Sequence, residues 1–141
     1  MIVLASKSPR RKEILKELGY DFIVCPAKKD EVFDLSLGLD EALKKVAESK
    51  AKEVREFYSD SIIISADTIV CLDQKILGKP KSKEDAIKTL NALSNRRHQV
   101  KTGVCIIYKN QTFLRVETTD VYFKDTFNKL GYKAKINTHI T

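Results

Sequence analysis

The sequence predicts an α/β domain, a mixed sheet with flanking helices. Short β-branched runs alternate with segments of helical period, a hairpin pattern closes the series, and the composition suits one compact domain. The 141 residues are 43% apolar and 32% charged, with five Gly and three Pro, enough apolar material for a single core and too much for a disordered chain.

Met1 to Ala5 is an apolar run suited to a buried strand, and Ser8-Pro9 then sets an N-cap followed by Pro at the first helical position. The helix is expected from Pro9 to Leu18, with Ile14, Leu15 and Leu18 on one face and Gly19 as the stop. Tyr20 to Cys25 reads as a second strand. Asp40 should cap a longer helix running to about Tyr58, with Leu43, Val46, Ala47, Val54 and Phe57 as its apolar stripe. Ser61 to Leu72 is apolar on both parities, as in a central strand covered on both faces. Ser82, with Asp85 three residues on, opens a third helix through Leu93, burying Ala86, Leu90 and Leu93. Gln99 to Tyr108 and Thr112 to Phe123 then alternate around Lys109-Asn110-Gln111 as a hairpin.

Composition also bounds the function. The longest apolar stretches, such as Ile62 to Ile64, fall far short of the roughly 20 residues needed to span a bilayer, so a membrane is not an expected partner. At the N-terminus the apolar residues precede the basic ones, the reverse of a secretory signal. Cys25, Cys71 and Cys105 are odd in number, widely spaced and set among apolar neighbours, which predicts buried reduced thiols in the cytoplasm. The net charge of +7 creates a field that attracts phosphates, polymeric or small.

Several charged residues interrupt the apolar pattern. Arg11 lies on the apolar face of the first helix, seven positions before Leu18, where it either snorkels to a surface carboxylate or meets an anion. Ser6, Ser8 and Arg10 beside it, with the positive end of a helix dipole, form a combination that binds phosphate. Lys50 breaks the stripe of the second helix, so its ammonium either snorkels to the surface or reaches a cleft or the helix edge. Asp67, inside the central strand, needs a cation, a metal ion or a raised pKa if buried, unless it serves a local hydrogen-bonding role at a sheet end. Lys79 sits on a Gly78-Lys79-Pro80 turn, and Asn95-Arg96-Arg97-His98 reads as a basic cluster closing the third helix. His98 and His139 are the only histidines, and no cluster has zinc spacing, so a metal here would be a hard cation held by carboxylates and phosphates.

Five segments between about residues 3 and 104, LASKSPRRKEIL, ESKAKEV, ISADTIV, LGKP and LSNRRHQVKTGV, occur in the order seen in the Maf family of nucleotide pyrophosphatases, which the sequence resembles; the likeness continues through VETTDVYF at about Phe123. The resemblance implies a fold related to the inosine triphosphate pyrophosphatases, a divalent cation (Mg²⁺ or Mn²⁺), and hydrolysis of nucleoside triphosphates to monophosphate and pyrophosphate. Carried over by position, it implies phosphate binding by Ser8, Arg10 and Arg11, cleft lysines at Lys50 and Lys79, a catalytic acid at Asp67, and metal ligation by Asp67 and by Glu31 in KKDEVF, where a solvated loop charge is the alternative. Thr68 after Asp67, and Arg11 rather than Trp after SPR, resemble the branch acting on dTTP and UTP, and Thr68 is counted with the substrate-binding residues.

The expected organisation is a Maf-like domain over residues 1–124 and an atypical basic tail over 125–141. That tail, DTFNKLGYKAKINTHIT, lacks the family's AYGIQG-like segment, so the C-terminal part of the family fold is expected to be missing. The expected partner is a nucleoside triphosphate, and a homodimer is among the assemblies allowed. Two rival readings stand beside this one: a nucleotide-binding remnant without turnover, and a basic nucleic-acid-binding module, which has charge in its favour but no recognition motif.

Overall fold

The computed structural model describes residues 1–29, 32–78 and 81–123. Glu31, Lys79 and the tail 125–141 lie outside the described residues. Five strands run in the order β2-β1-β3-β5-β6, and a sixth, β4, pairs with β3. They are β1 (Ile2–Leu4), β2 (Phe22–Val24), β3 (Ile62–Leu72), β4 (Lys75–Leu77), β5 (Arg96–Tyr108) and β6 (Gln111–Phe123). The helices are α1 (Pro9–Glu17), α2 (Leu39–Arg55) and α3 (Lys83–Leu93), with a 3₁₀ turn at Leu35–Leu37. The mixed α/β class expected from the sequence is the one observed. The described residues divide into two compact units, one drawn from residues 1–68 and 102–117, the other from 69–101 and 118–123.

In the first unit β1 is parallel to both neighbours, Ile2 to Leu4 pairing with Phe22 to Val24 on one side and with Ile62 to Ile64 on the other. Strand alternation sorts the side chains onto two faces. The odd positions Val3, Ala5, Ile63, Cys105 and Ile107 form the core with Ala47, Ala51 and Val54 of α2. Gly103 belongs to this face, and a Cβ there would lie 2.9 Å from Leu43 Cγ and 3.1 Å from its carbonyl oxygen, so α2 seats against β5 because residue 103 has no side chain. The even positions Ile62, Ile64, Val104 and Ile106 are only half-buried.

In the second unit, β3 turns back through Asp73-Gln74, both at positive φ (52° and 66°), to pair Val70 with Leu77 and Leu72 with Lys75. Positive φ at both central residues is the geometry of a tight two-residue hairpin. Ser82 caps α3, its hydroxyl accepting from Asp85 N at 3.0 Å, and Leu90 and Leu93 are the buried positions. Asn95 at φ 58° ends the helix in the left-handed conformation common there.

Several local expectations are corrected. The first helix buries none of its residues, because only about two turns form and Arg11 occupies the inward side of the first; Leu18 is 65% exposed. The long helix is capped at Gly38 rather than Asp40, which instead stands with Glu41 in the first turn, where acids complement the dipole. It ends at Arg55, leaving Phe57 outside the stripe and 74% exposed. The β3 strand is fully buried on one face and half-buried on the other over Ile62–Ser65 rather than covered equally. The Arg96-Arg97 pair opens β5 instead of closing α3, and Arg96 forms an ion pair with Asp73. The β4 strand was not anticipated. Cys71 and Cys105 are buried but Cys25 is half-buried, and no disulfide joins the three.

Candidate active site

The strand order itself marks a position where open α/β sheets commonly bind ligands. From β1 the chain crosses through α1 to β2 on one side, and from β2 it crosses through α2 to β3 on the other. Right-handed crossovers in opposite directions place α1 and α2 on opposite faces of the parallel strands, and the switch point lies beyond the carboxyl ends of β1 and β3. Both segments singled out in the sequence lead from those ends: Ser6 to Arg11 after β1, and Asp67-Thr68 on β3 past its paired stretch at Ile62–Ile64.

After β1 the chain is held by its own hydroxyls. Buried Ser6 accepts from Ser8 N at 3.1 Å, and Ser8 caps α1 by accepting from Arg11 N at 3.4 Å. Arg11 is thereby fixed in the first turn and reaches β3. Its Nη1 donates to the Ala66 carbonyl at 3.3 Å and its Nη2 to Thr68 Oγ1 at 2.6 Å. The Thr68 hydroxyl lies 2.9 Å from Thr102 Oγ1 on β5. Arg10, next to Arg11, is exposed.

On the α2 face the connection is made by two successive rungs. Ser65 and Asp67, two apart on a strand, share a face, and Ala47 and Lys50, three apart on a helix, share another. Ser65 Oγ donates to the Ala47 carbonyl, and Lys50 Nζ stands 3.3 Å from Asp67 Oδ1, their side chains 18% and 4% exposed. Lys50 is therefore not a snorkelling surface lysine. It faces a buried carboxylate, which answers the problem of a charge inside an apolar strand.

Lys50 also lines a cleft along α2, with Lys29, Lys45, Glu48, Lys52 and Glu53 around it. The exposed Glu53 carboxylate accepts the backbone N–H groups of Lys28 (2.6 Å) and Lys29 (2.9 Å), which hold its pKa below the usual carboxylate value and tie the segment after β2 to α2. Among the described residues, no three His, Cys, Asp or Glu side chains gather as a metal site. Mg²⁺ typically takes one or two protein carboxylates and fills its shell with phosphates and water. Asp67, a buried hard carboxylate, fits that mode and not an all-protein cage.

His98, in the second unit, is buried, and burial pushes its imidazole pKa down; its Nδ1 has no hydrogen-bond partner among the described residues. Of the sequence-derived site residues, Ser8, Arg11 and Thr68 are brought together on one side of β3, and Lys50 and Asp67 on the other. Sequence reasoning missed Ser65, the Ala66 carbonyl and Thr102. The only signal for Thr102 was its place beside Gly103 in a strand pattern.

These features define an α/β protein in which cationic side chains, Arg11 and Lys50, and a buried carboxylate, Asp67, gather about β3 near a topological switch point. The chain belongs to the Maf-like protein family, whose model matches residues 1–136. It is 42% identical over 122 residues to the dTTP/UTP pyrophosphatase of Halalkalibacterium halodurans, covering 86% of this chain and 64% of that protein. It is 44% identical over 129 residues to the dTTP/UTP pyrophosphatase of Caldicellulosiruptor saccharolyticus (87% and 65%), and 46% identical over 124 residues to that of Vibrio parahaemolyticus (87% and 66%). The chain thus spans just under two thirds of the length of these relatives. Among solved structures, the crystal structure of protein VC0702 from Vibrio cholerae is similar at a TM-score of 0.49 and 8% identity, over 98% of this chain and 72% of that one. Among the described residues no helix is long and apolar enough to cross a membrane.

Proposed function

We propose that this chain carries the phosphate-holding and catalytic part of a cytoplasmic nucleoside triphosphate pyrophosphatase, acting on dTTP and UTP with a divalent cation. The observation that carries the reading is the use of consecutive β3 residues, Asp67 facing the Lys50 ammonium and Thr68 holding the Arg11 guanidinium. The relatives named dTTP/UTP pyrophosphatase support the substrate class. The odd number and wide spacing of Cys25, Cys71 and Cys105 support a reducing compartment.

A triphosphate arrives with several negative charges, and the chemistry is chiefly their compensation. Arg11, already gripped by β3, and Lys50 present cations on the two sides of the strand, with Arg10 and Lys79 as further partners and the N-terminus of α1 at Ser8 adding its dipole. Water attacks the α-phosphorus, the bond to the bridging oxygen breaks, and pyrophosphate departs with that oxygen. Asp67 serves either as base toward the water or as ligand to the cation, with Glu31 as a second ligand. When bound, the cation would neutralise charge on the phosphates and the leaving group.

The test is a panel of common nucleoside triphosphates with Mg²⁺ or Mn²⁺, products being separated as monophosphate plus pyrophosphate or diphosphate plus phosphate. The expected result is monophosphate and pyrophosphate from dTTP and UTP, with Asp67→Asn lowering kcat by about 100-fold or more. Diphosphate products, a purine preference, or near-normal turnover in a folded Asp67→Asn variant would overturn the reading.

A further inference from the structure

We infer that Thr102 is a positioning residue for the phosphate-binding arginine, acting through Thr68 without touching substrate; the inference rests on the function proposed above. The argument begins with donor and acceptor types. A guanidinium carries only donors, so hydrogen bonds orient Arg11 through acceptors, among them the Ala66 carbonyl and the Thr68 hydroxyl. The carbonyl is fixed by the strand. The hydroxyl is not, because rotation about χ1 of Thr68 would turn a methyl group toward the guanidinium in place of the oxygen.

What selects the oxygen-forward rotamer is the second hydroxyl, Thr102 Oγ1, 2.9 Å from Thr68 Oγ1. Thr68 Oγ1 accepts from Arg11 at 2.6 Å and can donate its own proton onward to Thr102. A hydroxyl that accepts from a cation becomes a better donor, so the two bonds strengthen one another. Thr102 is itself half-buried on a strand, and a β-branched side chain there has few rotamers, so the lock is stiff. Thr102 and Gly103 divide the work of one dipeptide: Gly103 faces α2 and admits its close approach, while Thr102 faces the opposite side and fixes the arginine.

The experiment measures binding of inorganic tripolyphosphate by calorimetry, alongside kcat and KM for dTTP, in the full chain and in Thr102→Val, Thr102→Ser, Arg11→Ala and the Arg11→Ala/Thr102→Val double variant. Val keeps the shape and removes the hydroxyl. Thr102→Val should weaken tripolyphosphate binding about 5- to 10-fold and raise KM by a similar factor while the melting temperature stays near the parent's. Thr102→Ser should restore binding to within about 2-fold, because it restores the hydroxyl. In the Arg11→Ala background Thr102→Val should have no further effect, since the residue it positions is gone. Unchanged binding in Thr102→Val, a loss that Ser does not rescue, or losses that multiply in the double variant would overturn the inference. If the parent binds tripolyphosphate and shows the coupling but does not turn over dTTP, the proposed activity fails and the positioning role stands. A parent that binds no tripolyphosphate overturns both.

Discussion

Replacing Lys50 by Met removes the ammonium that faces Asp67 while preserving length and most of the apolar contact of the stem. At 3.3 Å and an effective dielectric constant of about 20, the attraction lost is about 5 kcal/mol. Against it stands the cost of desolvating two ions, several kcal/mol each, so the pair as a whole contributes little net stability. The asymmetry is in the single variants. With its side chain 4% exposed, Asp67 has less access to water when the Lys50 ammonium is removed than Lys50, 18% exposed on a flexible stem, has when Asp67 is made neutral. Lys50→Met should therefore cost about 3 kcal/mol, and Asp67→Asn about 1–2 kcal/mol. Urea unfolding followed by circular dichroism is the assay, and at m of about 1.5–2 kcal/mol per molar the Lys50→Met midpoint should fall by roughly 1.5–2 M. In the double variant the buried carboxylate is gone, so it should be more stable than Lys50→Met alone, with a coupling of about 2 kcal/mol. A Lys50→Met midpoint within experimental scatter of the parent, or a double variant carrying the full sum of both losses, would show that the pair is not coupled and that Lys50 is a surface lysine.

Arg11→Ala should weaken triphosphate more than monophosphate binding, read as Kd for dTTP and dTMP; equal losses would argue for a purely structural arginine. Gly103→Ala should destabilise the fold by about 1–3 kcal/mol in thermal or urea unfolding, because the new methyl meets the Leu43 backbone as well as its side chain, and an unchanged midpoint would contradict that packing. Burial raises the Cys105 thiol to about 11, so at pH 8 only about 0.1% is thiolate; mass mapping after alkylation of the native protein should find half-buried Cys25 modified first and Cys105 only on unfolding. The depressed pKa of Glu53 means its contribution to stability is present above the ordinary glutamate range and is lost as pH falls through the lower folded value, so Glu53→Gln should flatten the acid side of the stability profile. An identical acid profile in that variant would remove the tie between the Lys28-Lys29 backbone and α2.

The legible parts of this fold were those with local causes. Ser8-Pro9 and Ser82 marked helix starts because a hydroxyl cap and a proline act within one turn. The anomalies at Arg11, Lys50 and Asp67 were visible because each violates the pattern of its own element, and two of them, Lys50 and Asp67, prove to be one another's partners. The misses depend on what lies across space. Phe57 fits the helical stripe but falls after the helix has ended, and the exposure of Ile14 and Leu18 depends on what packs over α1, which no periodicity reports. The Asp73-Gln74 hairpin escaped notice because its turn lacks the Asn-Gly or Asp-Gly signature, although the backbone takes positive φ at both positions. Thr102 looked like any strand threonine until β5 was placed beside β3.

The unequal cover of the sheet also sets an order of opening. The middle of α2, where Ala47 and Ala51 are fully buried, should exchange its amide hydrogens only when the whole first unit unfolds. Helix α1 has no buried side chain, so its amides should exchange through a cheaper, local detachment that leaves the sheet intact. What ties that helix down is largely polar: the Ser8 cap and the Arg11 grip on Ala66 and Thr68. A polyphosphate seated at its first turn would add contacts to the least anchored helix of this unit. Occupancy should accordingly appear as slowed exchange across residues 12–18, with little change in α2, so that α1 reports the ligand by becoming ordered around it.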